Sequence, residues 1–154
     1  MRRKDREVSE KELLIEIINK SDVCRVAFAD NNVPYIVTMN FGYSDAGKGI
    51  LWFHCANDGR KIEMIRRNNY VCFEMDTDHQ LYGGEMGCDW GMSFSSIVGY
   101  GNISVIKDNS LKTEGLNAIM KKYAGNREFS YDEKITARTT ILKLDISEIT
   151  GKKK

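Results

Sequence analysis

The run Ile50–Asn68 reads as a strand that turns straight into a helix, and any fold for this chain has to accommodate that junction. Ile50 to Cys55 are β-branched, aromatic or apolar, as strands favour. Asn57 and Asp58 are residue types that cap helices, and Ile62 and Ile65 then fall three apart on one helical face. Arg66 and Arg67 suit the negative end of the macrodipole, and Asn68-Asn69 can stop the helix. By the same rule Arg60 and Lys61 are misplaced. They occupy the first turn, where unpaired N–H groups already present positive charge, so each costs about 0.3–1 kcal/mol. An anion docked at that end offsets the cost, because helix N-termini bind phosphate and guanidinium grips it with two hydrogen bonds. Alternatively both side chains bend back into water and Asp58 offsets them. Both readings stand at this point.

A chain of 154 residues makes one domain with a real core, here taken as residues 1–154. With 23 Lys+Arg against 22 Asp+Glu there is no basic field to hold nucleic acid. No apolar run follows Met1-Arg2-Arg3-Lys4, and none is long enough to span a bilayer. The expected location is the cytoplasm, away from the membrane, and the basic ends, Lys152-Lys153-Lys154 included, read as solvated tails. Cys24, Cys55, Cys72 and Cys88 include no C-x-x-C pair, which argues against zinc. No metal site is expected. A reducing compartment also argues against disulfides, so most of these thiols read as core residues.

Ser9-Glu10-Lys11-Glu12 has the form of a capping box, followed by the apolar stripe Leu13, Leu14, Ile17, Ile18 of a helix ending near Ser21. Val23 to Ala29 is strand-like, and Asp30-Asn31-Asn32 is turn chemistry ahead of Pro34, which opens the next strand. There Tyr35, Val37, Met39, Phe41 and Tyr43 share one face, and Ile36, Thr38, Asn40 and Gly42 share the other. The first face reads as core; the second suits a ligand or plain solvent equally well. Asp45–Gly49 is a hairpin loop without the phosphate-loop spacing.

Tyr70 to Asp76 is another apolar strand, and Thr77 to Met92 reads as a long irregular loop of the kind that often carries function, with Cys88 and Trp90 wanting burial. Ser96 to Ile106 is a long strand whose Gly99 and Gly101 predict curvature or close backbone approach. A helix through Leu111, Leu116, Ile119, Met120 and Tyr123 stops at Gly125, and Thr139 to Ile149 is the last strand. The whole predicts one α+β domain with about six strands and flanking helices.

Two histidines are present. His54 lies where the central strand meets the suspected anion site; His79 lies in the glycine-rich loop and reads as background. Neither a nucleophile elbow nor a dinucleotide-binding glycine motif is present. A phosphate-bearing cofactor on a curved β surface fits these features best.

Several phrases carry a specific resemblance: Val23–Ala29, Pro34–Tyr43, Phe53-His54-Cys55-Ala56, Gly59-Arg60-Lys61-Ile62, Cys72–Met75, Ser96–Gly101 and Leu144–Gly151. Together, in order along nearly the whole chain, they resemble the nitroimidazole-resistance branch of the pyridoxamine 5′-phosphate oxidase-like flavin-binding split barrels. The resemblance implies a mainly antiparallel split β-barrel that forms a homodimer, with FMN at the subunit interface. It implies that Arg60 and Lys61 take the flavin phosphate, that Thr38, Met39 and Asn40 run beside the isoalloxazine ring, and that His54, Cys55 and Ala56 sit near it on the neighbouring strand. Trp90, Ser95 and Ser96 would approach from the partner chain. A histidine like His54 is linked to the redox site in the resistance proteins, which makes His54 the catalytic candidate. The implied activity is electron transfer from reduced flavin, charged by NAD(P)H or another donor, to a nitro compound or similar small acceptor. The alternative is a non-catalytic flavin or haem store or sensor on the same barrel.

Overall fold

Asn40 is the only residue between two strands that lie at opposite ends of one sheet, and this junction shapes the molecule. The computed structural model describes residues 3–154; Met1 and Arg2 of the basic N-terminal stretch lie outside the described residues. The strands are β1 (Glu7–Val8), β2 (Cys24–Asp30), β3 (Val33–Met39), β4 (Phe41–Ser44), β5 (Ile50–Ala56), β6 (Tyr70–Tyr82), β7 (Gly91–Ile106) and β8 (Thr139–Lys153). The helices are α1 (Lys11–Lys20), α2 (Arg60–Arg67), α3 (Asn109–Ala124) and α4 (Glu133–Ala137). Neighbours run β3-β2-β6-β7-β8-β5-β4, with β1 on β8, and every pairing is antiparallel. Successive Cα atoms are only about 3.8 Å apart, so a one-residue link between β3 and β4 requires the sheet to curl until its ends meet. The result is a barrel split between β3 and β4.

The barrel is filled by Val26, Phe28, Phe41, Leu51, Phe53, Phe73, Met75, Ile97, Ile103, Leu142 and Leu144, all essentially inaccessible to water. Leu14, Ile17 and Ile18 of α1 join this core, as the apolar stripe predicts, although Leu13 stays exposed. A second cluster, Trp52, Ile106, Ile119 and Ile141, fixes α3 against the outer face of β5 and β8. Gly99 packs directly on the Phe73 ring and Gly101 on the Asp145 carbonyl, so the close approach predicted for these glycines is present.

The structure corrects four expectations. First, the described residues form eight strands and not about six. The alternating run beginning at Pro34 is two strands, because the chain leaves one sheet edge for the other at Asn40, and alternation alone does not register that change of partner. Second, Thr77 to Met92 is mostly ordered hairpin. The β6 ladder resumes after an irregularity between Thr77 and Gln80, with Asp78 at φ 57°, and runs through Gln80–Ser93 to Tyr82–Gly91. Cys88 and Trp90 are exposed within the chain; Trp90 lies against Gly83 and its indole N–H donates to the Gly84 carbonyl, so the ring is satisfied locally. Third, the N-cap of α1 is Glu10 and no side chain caps the helix; Glu10 accepts from the Ser9 N–H instead. Fourth, the C-terminal lysines are not a free tail. Lys152 and Lys153 pair with Ser96 and Ser95, and Lys154 exchanges backbone hydrogen bonds with Phe94.

Among the described residues no helix is long and apolar enough to cross a membrane. No His, Cys, Asp and Glu side chains are grouped to hold a metal there either. All four cysteines are free, but only Cys24 is fully buried.

Candidate functional site

The ends of β3 and β5, the first turn of α2 and the α4–β8 junction border one groove of about 510 Å³, a size suited to a cofactor. The curl of the sheet brings Thr38, Met39 and Asn40 to face His54, Cys55 and Ala56 across this groove, with Lys61 beside them. Thus the polar face of the 35–43 alternation divides: Thr38 and Asn40 line the groove, Ile36 faces outward, and Gly42 lies beneath α3. Val37, Arg138 and Thr139 complete the lining.

The turn after β5 works differently from the capping expectation. Asn57 caps nothing; its Nδ2–H donates to the Ala137 carbonyl at 3.0 Å and its Oδ1 accepts from the Thr140 hydroxyl at 2.8 Å. The N-cap of α2 is Gly59, at φ 109°, and no side chain caps the helix. Other residues rarely adopt that backbone conformation, and nothing lies within 4 Å of where a Cβ would stand. The first turn of α2 therefore keeps free N–H groups beside open space.

Lys61 reaches no carboxylate: its Nζ is 3.7 Å from the Met39 sulfur, a weak acceptor. The Arg60 guanidinium stands 4.5 Å above the Tyr35 ring, just off the groove. Among the described residues, neither these two nor Arg138 belongs to an ion pair. Among the described residues no carboxylate lines the groove, so its field favours anions. Burial pushes the half-buried Cys55 thiol above the ordinary range, and Lys61 pulls it down without cancelling that effect. Burial thus favours the neutral thiol of Cys55, the less nucleophilic form. His54 is exposed in the groove, paired across the ladder with Ile141.

Seven residues singled out from the sequence meet here: Thr38, Met39, Asn40, His54, Cys55, Ala56 and Lys61. Trp90, Ser95 and Ser96 lie on the β6–β7 hairpin, outside the groove of a single chain, and Ser95 is buried. His79 is engaged elsewhere, its Nε2 3.0 Å from Asp76, which with Glu74 also holds Arg25. Sequence reasoning missed Arg138 and Thr139. The available signal was Asp132, which caps α4 through the N–H groups of Lys134 and Ile135 and so marks a short helix ending at Arg138.

The rim at Asn40 is held from behind. The Phe41 N–H, at the edge-changing corner, donates to the Tyr123 hydroxyl at 3.1 Å, and that hydroxyl donates to the Asp22 carbonyl at 2.7 Å. Tyr123→Phe strands the part-buried Phe41 N–H and leaves the exposed Asp22 carbonyl to water. It should cost about 1–3 kcal/mol in chemical denaturation, with faster amide exchange at Phe41. An unchanged exchange rate would show that the hydroxyl does not hold this corner.

Residues 10–153 match the family model described as pyridoxamine 5′-phosphate oxidase. Among solved structures, the chain is similar to a provisionally identified 5-nitroimidazole antibiotic resistance protein from Bacteroides thetaiotaomicron. The identity is 32% over 95% of this chain and 85% of that one, with a TM-score of 0.83. The fold is shared with a flavocytochrome from Azotobacter vinelandii, at 18% identity over 100% and 72% of the two chains and a TM-score of 0.84. It is also shared with a FAD-binding protein from Mesorhizobium loti, at 22% identity over 97% of each chain and a TM-score of 0.69. No curated protein matches the sequence.

Proposed function

The chain belongs to the pyridoxamine 5′-phosphate oxidase family, and from that membership we propose that its groove binds a flavin, FMN, and serves electron transfer to a nitro compound or similar small acceptor. The observation that carries this reading is the uncapped N-terminus of α2 beside Arg60 and Lys61, two cations without a carboxylate partner among the described residues. That donor set fits a phosphate monoester: free N–H groups, a guanidinium and an ammonium. Flavin, when bound, supplies reversible redox chemistry, and the chain supplies binding, orientation and electrostatics. Arg60 and Lys61 would hold the phosphate. Thr38 and Asn40 offer hydrogen-bonding side chains to a polar ring, Met39 and Ala56 offer apolar contact, and His54 presents an imidazole able to give or take a proton. Met39 is itself mostly buried, which fixes that part of the rim.

The working unit in this reading is a homodimer. Across β3, β2, β6 and β7 the outward row Ile36–Ala27–Cys72–Tyr100 is in register, and Val98 and Tyr70 flank it. Ile36 is 63% exposed and Tyr100 40%, an apolar row beside the Arg25–Glu74 ion pair on the same face, which a second copy would cover. Trp90, with Ser95 and Ser96 behind it on β7, would then reach the groove of the other copy.

The test is the absorption spectrum of freshly purified protein, mass identification of any released ligand, and anaerobic reduction by NAD(P)H followed by a nitroaromatic acceptor. Yellow protein that releases FMN and reoxidises with the acceptor is the expected result, at a dimer's mass in light scattering. Yellow protein without turnover leaves a flavin store, and a haem band moves the assignment to haem. Colourless protein that ignores added FMN overturns the reading.

A further inference from the structure

We propose that Arg138 makes this groove select an anionic second ligand, so that the favoured electron acceptor carries a carboxylate or phosphate; the inference rests on the flavin reading above. A phosphate monoester carries about −1.5 to −2 at neutral pH, which Arg60 and Lys61 match between them. Arg138 is a third cation, lining the same groove, with no carboxylate among the groove residues to neutralise it. Its guanidinium forms no ion pair among the described residues.

Its anchor is also fixed. The Arg138 N–H donates to the Ile135 carbonyl at 3.0 Å, and the Thr139 hydroxyl donates to the same carbonyl at 2.9 Å. On either side, the Ala137 carbonyl and the Thr140 hydroxyl are both bonded to Asn57, at 3.0 and 2.8 Å. Asn57 lies two residues before Gly59, so one amide side chain ties the base of Arg138 to the turn that opens α2. A planar guanidinium on such an anchor matches carboxylate and phosphate oxygens with two parallel charge-assisted hydrogen bonds, whereas a neutral acceptor gains only the weaker contact of an uncharged oxygen.

The experiment titrates FMN-loaded protein with benzoate and with benzamide, followed by calorimetry. The two probes share ring and size and differ in charge. Benzoate should bind about tenfold or more tightly than benzamide, the scale of one charge-assisted hydrogen-bonded pair. Arg138→Gln should abolish the ratio, and Arg138→Lys should keep part of it. The ratio isolates the charge, because a variant that only packs badly weakens both probes alike. Phenyl phosphate in place of benzoate tells the two anion classes apart, and a preference for either supports the inference. Benzoate binding no tighter than benzamide overturns it, as does a preference that survives Arg138→Gln. Failure to bind FMN at all sinks the flavin reading and this inference together; FMN binding without a charge preference sinks this inference alone.

Discussion

Replacing Arg60 and Lys61 together by alanine is expected to weaken FMN binding by on the order of a thousandfold. Each cation contributes a charge-assisted contact worth about 1.5–3 kcal/mol to a bound phosphate, and the pair are the ones nearest the uncapped N-terminus of α2. The sign of the stability change separates this from simple damage. Removing positive charge from a first turn relieves repulsion with the macrodipole by about 0.3–1 kcal/mol for each residue. Loss of the Arg60 guanidinium from the Tyr35 ring takes back about 0.5–1 kcal/mol. The apoprotein should therefore melt close to the native temperature while its affinity for FMN collapses. Flavin fluorescence titration of the apoprotein reads the first effect and thermal denaturation the second. Affinity unchanged within a few-fold would show that the phosphate is not held at this helix end. Lys61→Ala alone lacks the cation–π loss, so it should raise apoprotein stability slightly.

Gly42→Ala is expected to be among the most damaging single-methyl changes in the chain. A Cβ on Gly42 would overlap the backbone of Ala118 and Ile119 in α3, and no rotamer change can relieve a clash with backbone. Overpacking of this kind costs about 1–3 kcal/mol or somewhat more, and a domain of this size loses about 2–4 °C of melting temperature for each kcal/mol. The damage should spread along α3. Moving that helix away from β4 opens the cluster of Trp52, Ile119 and Ile141. It also draws Tyr123 away from the Phe41 N–H, at the corner beside Asn40. Two readouts follow: a lowered melting temperature, and red-shifted emission as Trp52, now fully buried, meets water. Normal melting with unchanged emission would mean that α3 does not press on β4 as closely as described.

Both effects depend on side chains whose roles were partly legible beforehand. The placement of Arg60 and Lys61 against the macrodipole was visible in a handful of consecutive residues. Their division of labour was not, because Arg60 turns to Tyr35 on β3 and Lys61 to Met39 at the end of that same strand. Gly42 stood out as a small residue on a polar face, yet nothing local revealed that a helix more than seventy positions later lies on it. Asn57 looked like a cap and is a strut, since partners on β8 and α4 compete for its amide and a glycine takes the capping position.

Elements with short-range causes could be read from consecutive residues. The strand running into α2, the alternation from Tyr35 to Tyr43 and the stop of α3 at Gly125 all follow from side chains acting on their own backbone. Resemblance to a family supplied most of the groove residues. Three features arise only from long-range pairing: the chain changes sheet edge at Asn40, β6 and β7 extend as a paired hairpin arm, and Arg138 joins Lys61 and His54. Each depends on the curl of the whole sheet or on cross-strand hydrogen bonds. Those bonds join residues far apart in the chain, and periodicity along one strand carries no record of its partner.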